Sequence, residues 1–171
     1  MIGAPGRDES DPYYYRYIDR ISTDDITAFL HAQMTETLTF FESVSEEKSL
    51  HSYAPGKWCV REVLNHINDT ERELLFWALW FARAIDIPLP GFEQETAVAA
   101  SDSKDCLWSK HVDEFRAIRL ASHSFFLNLP ASAWLRTGVA SGGKFTVRAV
   151  AYVIAGHVSH HVAILRERYL L

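Results

Sequence analysis

The stretch from Phe145 to Tyr169, FTVRAVAYVIAGHVSHHVAILRERY, limits what this chain can become more than any other. Val147, Val150, Ile154, His157, His161 and Ile164 recur at alternating steps of three and four residues. That spacing lines them along one stripe of a helix, the stripe that faces the interior of a bundle. His157 and His161 stand at i and i+4, so their side chains leave the helix about 40° apart and one turn along. Both rings can therefore reach one ion. An imidazole without a polar partner costs free energy in an apolar interior, and a metal ion is one partner that removes the cost.

The rest of the chain supplies that interior. At 171 residues, 48% of them hydrophobic, one domain with a substantial core is expected. Met1 to Pro12 is polar and contains Gly and Pro, so a flexible leader is expected there and the folded domain from residue 13 onward. Helix one is predicted from Ser22 to about Val44, with Asp24 and Asp25 in its first turn and Ile26, Leu30, Thr37, Phe40 and Val44 inward. Pro55 and Gly56 make a turn, and a long helix two begins near Cys59. Its inner stripe is Val60, Val63, Ile67, Thr70, Leu74, Trp77 and Phe81, flanked by a polar strip of Glu62, His66, Asp69 and Glu73. Pro88, Pro90 and Gly91 punctuate a crossover reaching to about Lys104. Helix three follows from Asp105 to Asn128, with Leu107, Phe115, Ile118, Phe125 and Leu129 as inner candidates, and Pro130 stops it. Ala131 to Lys144 reads as a loop, after which Thr146 caps helix four. Strand-like alternation is absent. Four amphipathic helices of this length predict an all-α four-helix bundle.

Charge and cysteines exclude several classes of function. The net charge is −5, with Lys and Arg scattered, so there is no electrostatic footprint for nucleic acid and no basic amphipathic face for a membrane. The opening MIGAPGRDESDPYYY lacks the basic start and apolar run of a secretory signal. The longest apolar run, Leu74 to Ala82, is too short to span a bilayer. Cys59 and Cys106 lack metal or redox spacing, and two lone cysteines without an export signal suit the cytoplasm.

His157 and His161 need a further ligand. His160 is about 100° round from His161 and cannot share its front; it suits a role in orienting a ligand or handling a proton. His66 is the better third ligand, because it sits on another helix at the edge of a core-facing stripe. Glu62, Asp69 and Glu73 lie within a turn or two of it as acceptors for its second nitrogen. Cys59 is about 10 Å from His66 along the axis, too far for one coordination sphere. Three imidazoles without a fourth protein ligand make an open site, which in zinc proteins keeps a water in the last position. Zinc, nickel or iron can each accept three nitrogens. The open position can take a water or an incoming thiolate. A lone HxxxH is often two ordinary histidines, so a non-catalytic bundle, stabilised by an ion or serving as a binding or stress-response module, is the alternative.

PGKWCVREVLNHINDTER, then PLPGFEQE, EFRAIR and FTVRAVAYVIAGHVSHHVAILRER, in this order, resemble the DinB-like (YfiT-like) superfamily from about Tyr13 to the end. The joint pattern is a tryptophan shortly before a helix bearing one His, and a late helix bearing HxxxH. The resemblance implies a bundle of up-down-down-up order with a long connection between helices two and three, which Arg83 to Lys104 matches. It implies a metal triad of His66, His157 and His161, and a homodimer. It also implies a metal-dependent thiol S-transferase or hydrolase acting on a small molecule, since relatives include S-transferases using low-molecular-weight thiols and a mycothiol-dependent maleylpyruvate isomerase. Where the family usually has Ser after the tryptophan, this chain has Cys59, a poorer helix cap. No residue identifies a particular thiol or electrophile.

Overall fold

In the computed structural model, which describes residues 2–91 and 93–169, the four expected long helices are α2 (Ile26–Glu42), α3 (Val60–Ala82), α5 (Trp108–Leu127) and α6 (Val147–Arg168). Each begins where a carboxylate or hydroxyl can take an otherwise unpaired backbone N–H. Asp25 accepts from the Ala28 N–H at 3.0 Å and Thr146 from the Ala149 N–H at 3.0 Å. The Cys59 N–H donates to Glu62 at 2.7 Å, so α3 has an acceptor although its capping residue is a cysteine. Leu107, before α5, offers none, and the Trp108 N–H donates instead to Glu46 at 3.0 Å.

Helices α2 and α3 each pack on both α5 and α6, which places α2 and α3 across the diagonal of a four-helix bundle. A short helix α1 (Tyr15–Ile18) lies on α6, and another, α4 (Gln94–Ala99), sits in the crossover between α3 and α5. The approach of α1 depends on Gly156. A Cβ there would stand 2.1 Å from the Tyr17 carbonyl oxygen, so only glycine lets the two backbones meet.

The core falls into two apolar clusters. One gathers Ile26, Leu30, Leu74, Phe126 and Ile154; the other gathers Met34, Ile67, Phe115, Val158 and Leu165. Between them lies a polar layer. The Arg119 guanidinium, fully buried, donates to Glu71 at 2.8 Å and to Gln33 at 2.7 Å. Gln33 in turn donates to the Ala155 carbonyl and to Ser159, both at 2.8 Å. One network thus joins all four long helices at the level of His157.

Three features differ from expectation. The segment from Ala131 to Lys144 is not wholly irregular: strands β1 (Thr137–Ala140) and β2 (Gly143–Thr146) pair antiparallel. Ser141 and Gly142, with φ of 50° and 77°, make the two-residue turn whose twist suits a hairpin. Four-residue strands are too short to show alternation in sequence. In α5 the expected Phe115 and Ile118 are buried, but Leu107 is exposed and Phe125 and Leu129 are only partly buried, and Trp108 and Phe126 face the core in their place. Residues 2–12, the segment expected as a leader, lie against the bundle: Glu9 pairs with Arg148 and accepts from the Thr146 hydroxyl at 2.8 Å, and the Thr146 N–H donates to the Glu9 carbonyl. Among the described residues, no helix is long and apolar enough to cross a membrane.

Candidate metal centre

The facing stripes of α3 and α6 bring His66, His157 and His161 together. His157 Nε2 lies 3.1 Å from His66 Nε2 and 3.1 Å from His161 Nε2, and the ligand atoms of all three fall within 4.8 Å of one another. Ligand nitrogens on a tetrahedral zinc ion stand about 3.3 Å apart at a metal–nitrogen distance of about 2.0–2.1 Å. The spacing found here is therefore close to what an ion would impose.

Burial sets the protonation state. His66 and His157 are buried and His161 nearly so. Desolvation, with His160 nearby, pushes the His66 pKa down to about 4. Burial, and then mutual repulsion within the cluster, holds His157 and His161 well below the ordinary imidazole value. Neutral imidazole is the form that ligates. His66 Nδ1 lies 3.3 Å from the Thr70 hydroxyl, and a proton held there leaves Nε2 with its lone pair. Lone pairs aimed at a shared point repel unless a cation lies between them. The donor set, its spacing and its neutrality thus fit a divalent ion.

The other sequence candidates take different positions. Glu62 faces the start of α3, accepting from the Cys59 N–H and pairing with Lys104 at 3.1 Å. Asp69 accepts from Asn65 at 2.8 Å and pairs with Arg72, away from the triad. In place of these carboxylates, His66 Nδ1 meets the hydroxyl of Thr70, one helical turn on. His160 is half-buried, its ring 5.0 Å from that of His161 and 5.5 Å from that of Tyr17. Trp58 packs against His66 with ring centroids 5.1 Å apart, a position that the sequence motif alone did not explain.

Two cavities meet at the triad. A cleft of about 400 Å³ is bordered by His66 and His157, with Tyr14, Tyr17 and Thr70 among its walls. A smaller one of about 270 Å³ is bordered by His161 and Trp58, with Lys57 and Arg168 at its edge. Tyr14 and Tyr17 lie at and beside the short helix α1. Their place at the cleft depends on the α1–α6 contact at Gly156, which has no signature in the local sequence. Arg148, near the start of α6, is paired with Glu9.

Fold and site together define a helical-bundle protein with a three-histidine centre. Residues 30–165 match the DinB superfamily, and the chain belongs to that family. Among solved structures, YfiT from Bacillus subtilis, described as a probable metal-dependent hydrolase with an unusual four-helix bundle topology, is similar in fold, with a TM-score of 0.70 at 16% sequence identity. The match covers 95% of this chain and 89% of that one. No curated protein matches the chain.

Proposed function

We propose that this protein is a metal-dependent enzyme that holds one divalent transition ion, zinc, nickel or iron, through His66, His157 and His161 and hydrolyses a small molecule in the adjoining cleft. The observation that supports this is the convergence of three imidazole Nε2 atoms, two of the rings buried and the third partly so, beside an open cleft, with no fourth protein ligand among the described residues. Structural zinc sites are usually closed by four ligands, whereas catalytic sites leave one position open. The description of YfiT as a probable hydrolase points the same way. An ion held there would supply Lewis acidity and lower the pKa of a water or thiol that joins it.

The protein's own residues do the rest. Thr70 holds the His66 ring in its ligating tautomer, and the buried walls keep the imidazoles neutral. The hydroxyls of Tyr14, Tyr17 and Thr70 line the cleft where they can orient a substrate. His160, in ring contact with His161, is the nearest further imidazole that could take up a proton.

A second reading, thiol S-transfer, is favoured by the smaller cavity. Lys57 and Arg168 at its edge suit the carboxylates of a low-molecular-weight thiol, with His161 at its inner wall.

Elemental analysis of untagged protein and of His66→Ala and His161→Ala variants tests the centre. One ion per chain is expected in the parent, and each variant should lose most of it. Turnover is tested with activated esters, and with glutathione, bacillithiol or mycothiol plus a chlorodinitrobenzene electrophile, against a metal-stripped control. An ion that binds without any metal-dependent rate would leave the non-catalytic binding bundle.

A further inference from the structure

The larger cleft has a pronounced charge character. Asp11, Glu73 and Glu93 line it, and no Lys or Arg does. The three carboxylates come from three separated segments: the turn before α1, the middle of α3 and the start of α4. Tyr13, Tyr14 and Tyr17 form the aromatic part of the same wall. Glu73 is close enough to Tyr14 to add to the effect of burial, and together they push that phenol up to about 12, so Tyr14 stays neutral. The Tyr14 ring therefore presents a neutral π-face beside the rings of Tyr13 and Tyr17. One of these rings already carries a cation: the Arg16 guanidinium lies 3.8 Å from the centroid of Tyr13. The cavity on the far side of the triad differs, with Lys57 and Arg168 set against Glu95 alone.

Resting on the reading of the triad as a reaction centre, we propose that the larger cleft selects small molecules bearing a positively charged ammonium group. Carboxylates and tyrosine rings are the surroundings that replace the hydration of such a cation, and a quaternary ammonium is well served by ring faces. An ion held by the three imidazoles is positive. The cationic end of the ligand therefore lies toward Asp11, Glu73 and Glu93, and its electron-rich end, the one to be transformed, toward His66 and His157. The cleft volume of about 400 Å³ accommodates a molecule of that kind.

Three probes of matched shape separate charge from fit: choline, its neutral isostere 3,3-dimethylbutan-1-ol, and the anion 3,3-dimethylbutanoate. Calorimetric or NMR titration of the full chain, with and without added zinc, should show choline binding about tenfold more tightly than the neutral isostere, with the anion weakest. Glu73→Gln should remove most of that preference, Glu93→Gln should reduce it, and Glu95→Gln, on the other cavity, should leave it intact. Equal affinity for choline and its isostere, or a preference that survives both Glu73→Gln and Glu93→Gln, overturns the proposal. Zinc affinity measured on the same samples tells the two readings apart. Choline preference without zinc binding would sink the metal centre alone, and zinc binding without choline preference would sink the ammonium site alone.

Discussion

His66, His157 and His161 show how burial converts an ordinary residue into a ligand. With no ion bound, each must stay neutral in the fold while its unfolded counterpart takes a proton near the usual imidazole pKa. A depressed pKa in the folded state means that the unfolded chain binds more protons, so stability rises with pH through this window and falls as pH is lowered. For His66, between the ordinary imidazole value of 6.5 and about 4, the loss amounts to roughly 3 kcal/mol. Metal-stripped protein should therefore show a urea midpoint that falls between pH 6.5 and pH 4; a flat profile would mean that these rings are not buried neutral. Gly156 makes the same point through sterics. Gly156→Ala would press a methyl group onto the Tyr17 carbonyl, and a destabilisation of about 1–3 kcal/mol is expected, as for other overpacked sites. Chemical denaturation measures it, and an unchanged midpoint would refute the close contact.

Among the elements, the polar layer across α2, α3, α5 and α6 bears most on the position of the site. Arg119 is fully buried and its charge is met by Glu71, itself only 2% exposed. Removing one partner of a buried pair strands the other, whereas replacing both with apolar groups is often neutral. Glu71→Leu should cost roughly 3–5 kcal/mol, and the double variant Glu71→Leu/Arg119→Met should recover much of it. Equilibrium unfolding of the two variants decides; a double variant no better than the single would show that the pair is not the relevant unit. This layer was not legible in advance. Arg119 follows Ile118 in a stretch that looks like an ordinary amphipathic flank, and at the two ends of α5 Trp108 and Phe126 face inward rather than Leu107 and Phe125. A helix with charges on most turns leaves its inward face ambiguous until its neighbours are placed.

For the whole molecule, an ion that binds the folded state alone stabilises it by mass action. Saturation at a hundredfold excess over Kd is worth about 2.7 kcal/mol, or roughly 5–10 °C in Tm for a domain of this size. Zinc or nickel should raise Tm by that order in the parent and not in His157→Ala; equal shifts in both would place the ion elsewhere. The homodimer implied by the family resemblance remains a proposal, which sedimentation of the full chain would test.

The long helices, the cap at Thr146 and the pairing of His157 with His161 followed from the sequence, because helical periodicity and capping act over a few residues; the first of these helices starts at Ile26, capped by Asp25, four residues later than the expected Ser22. His66 was chosen as the third ligand from its stripe position. Its Thr70 partner, four residues on in the same helix, is an equally local contact; only tertiary packing decided that Tyr14 and Tyr17 would wall the cleft and that Asp11, Glu73 and Glu93 would share it. These residues come from segments whose meeting depends on how α1, the crossover and the β1–β2 hairpin settle on the bundle, through contacts no local pattern encodes.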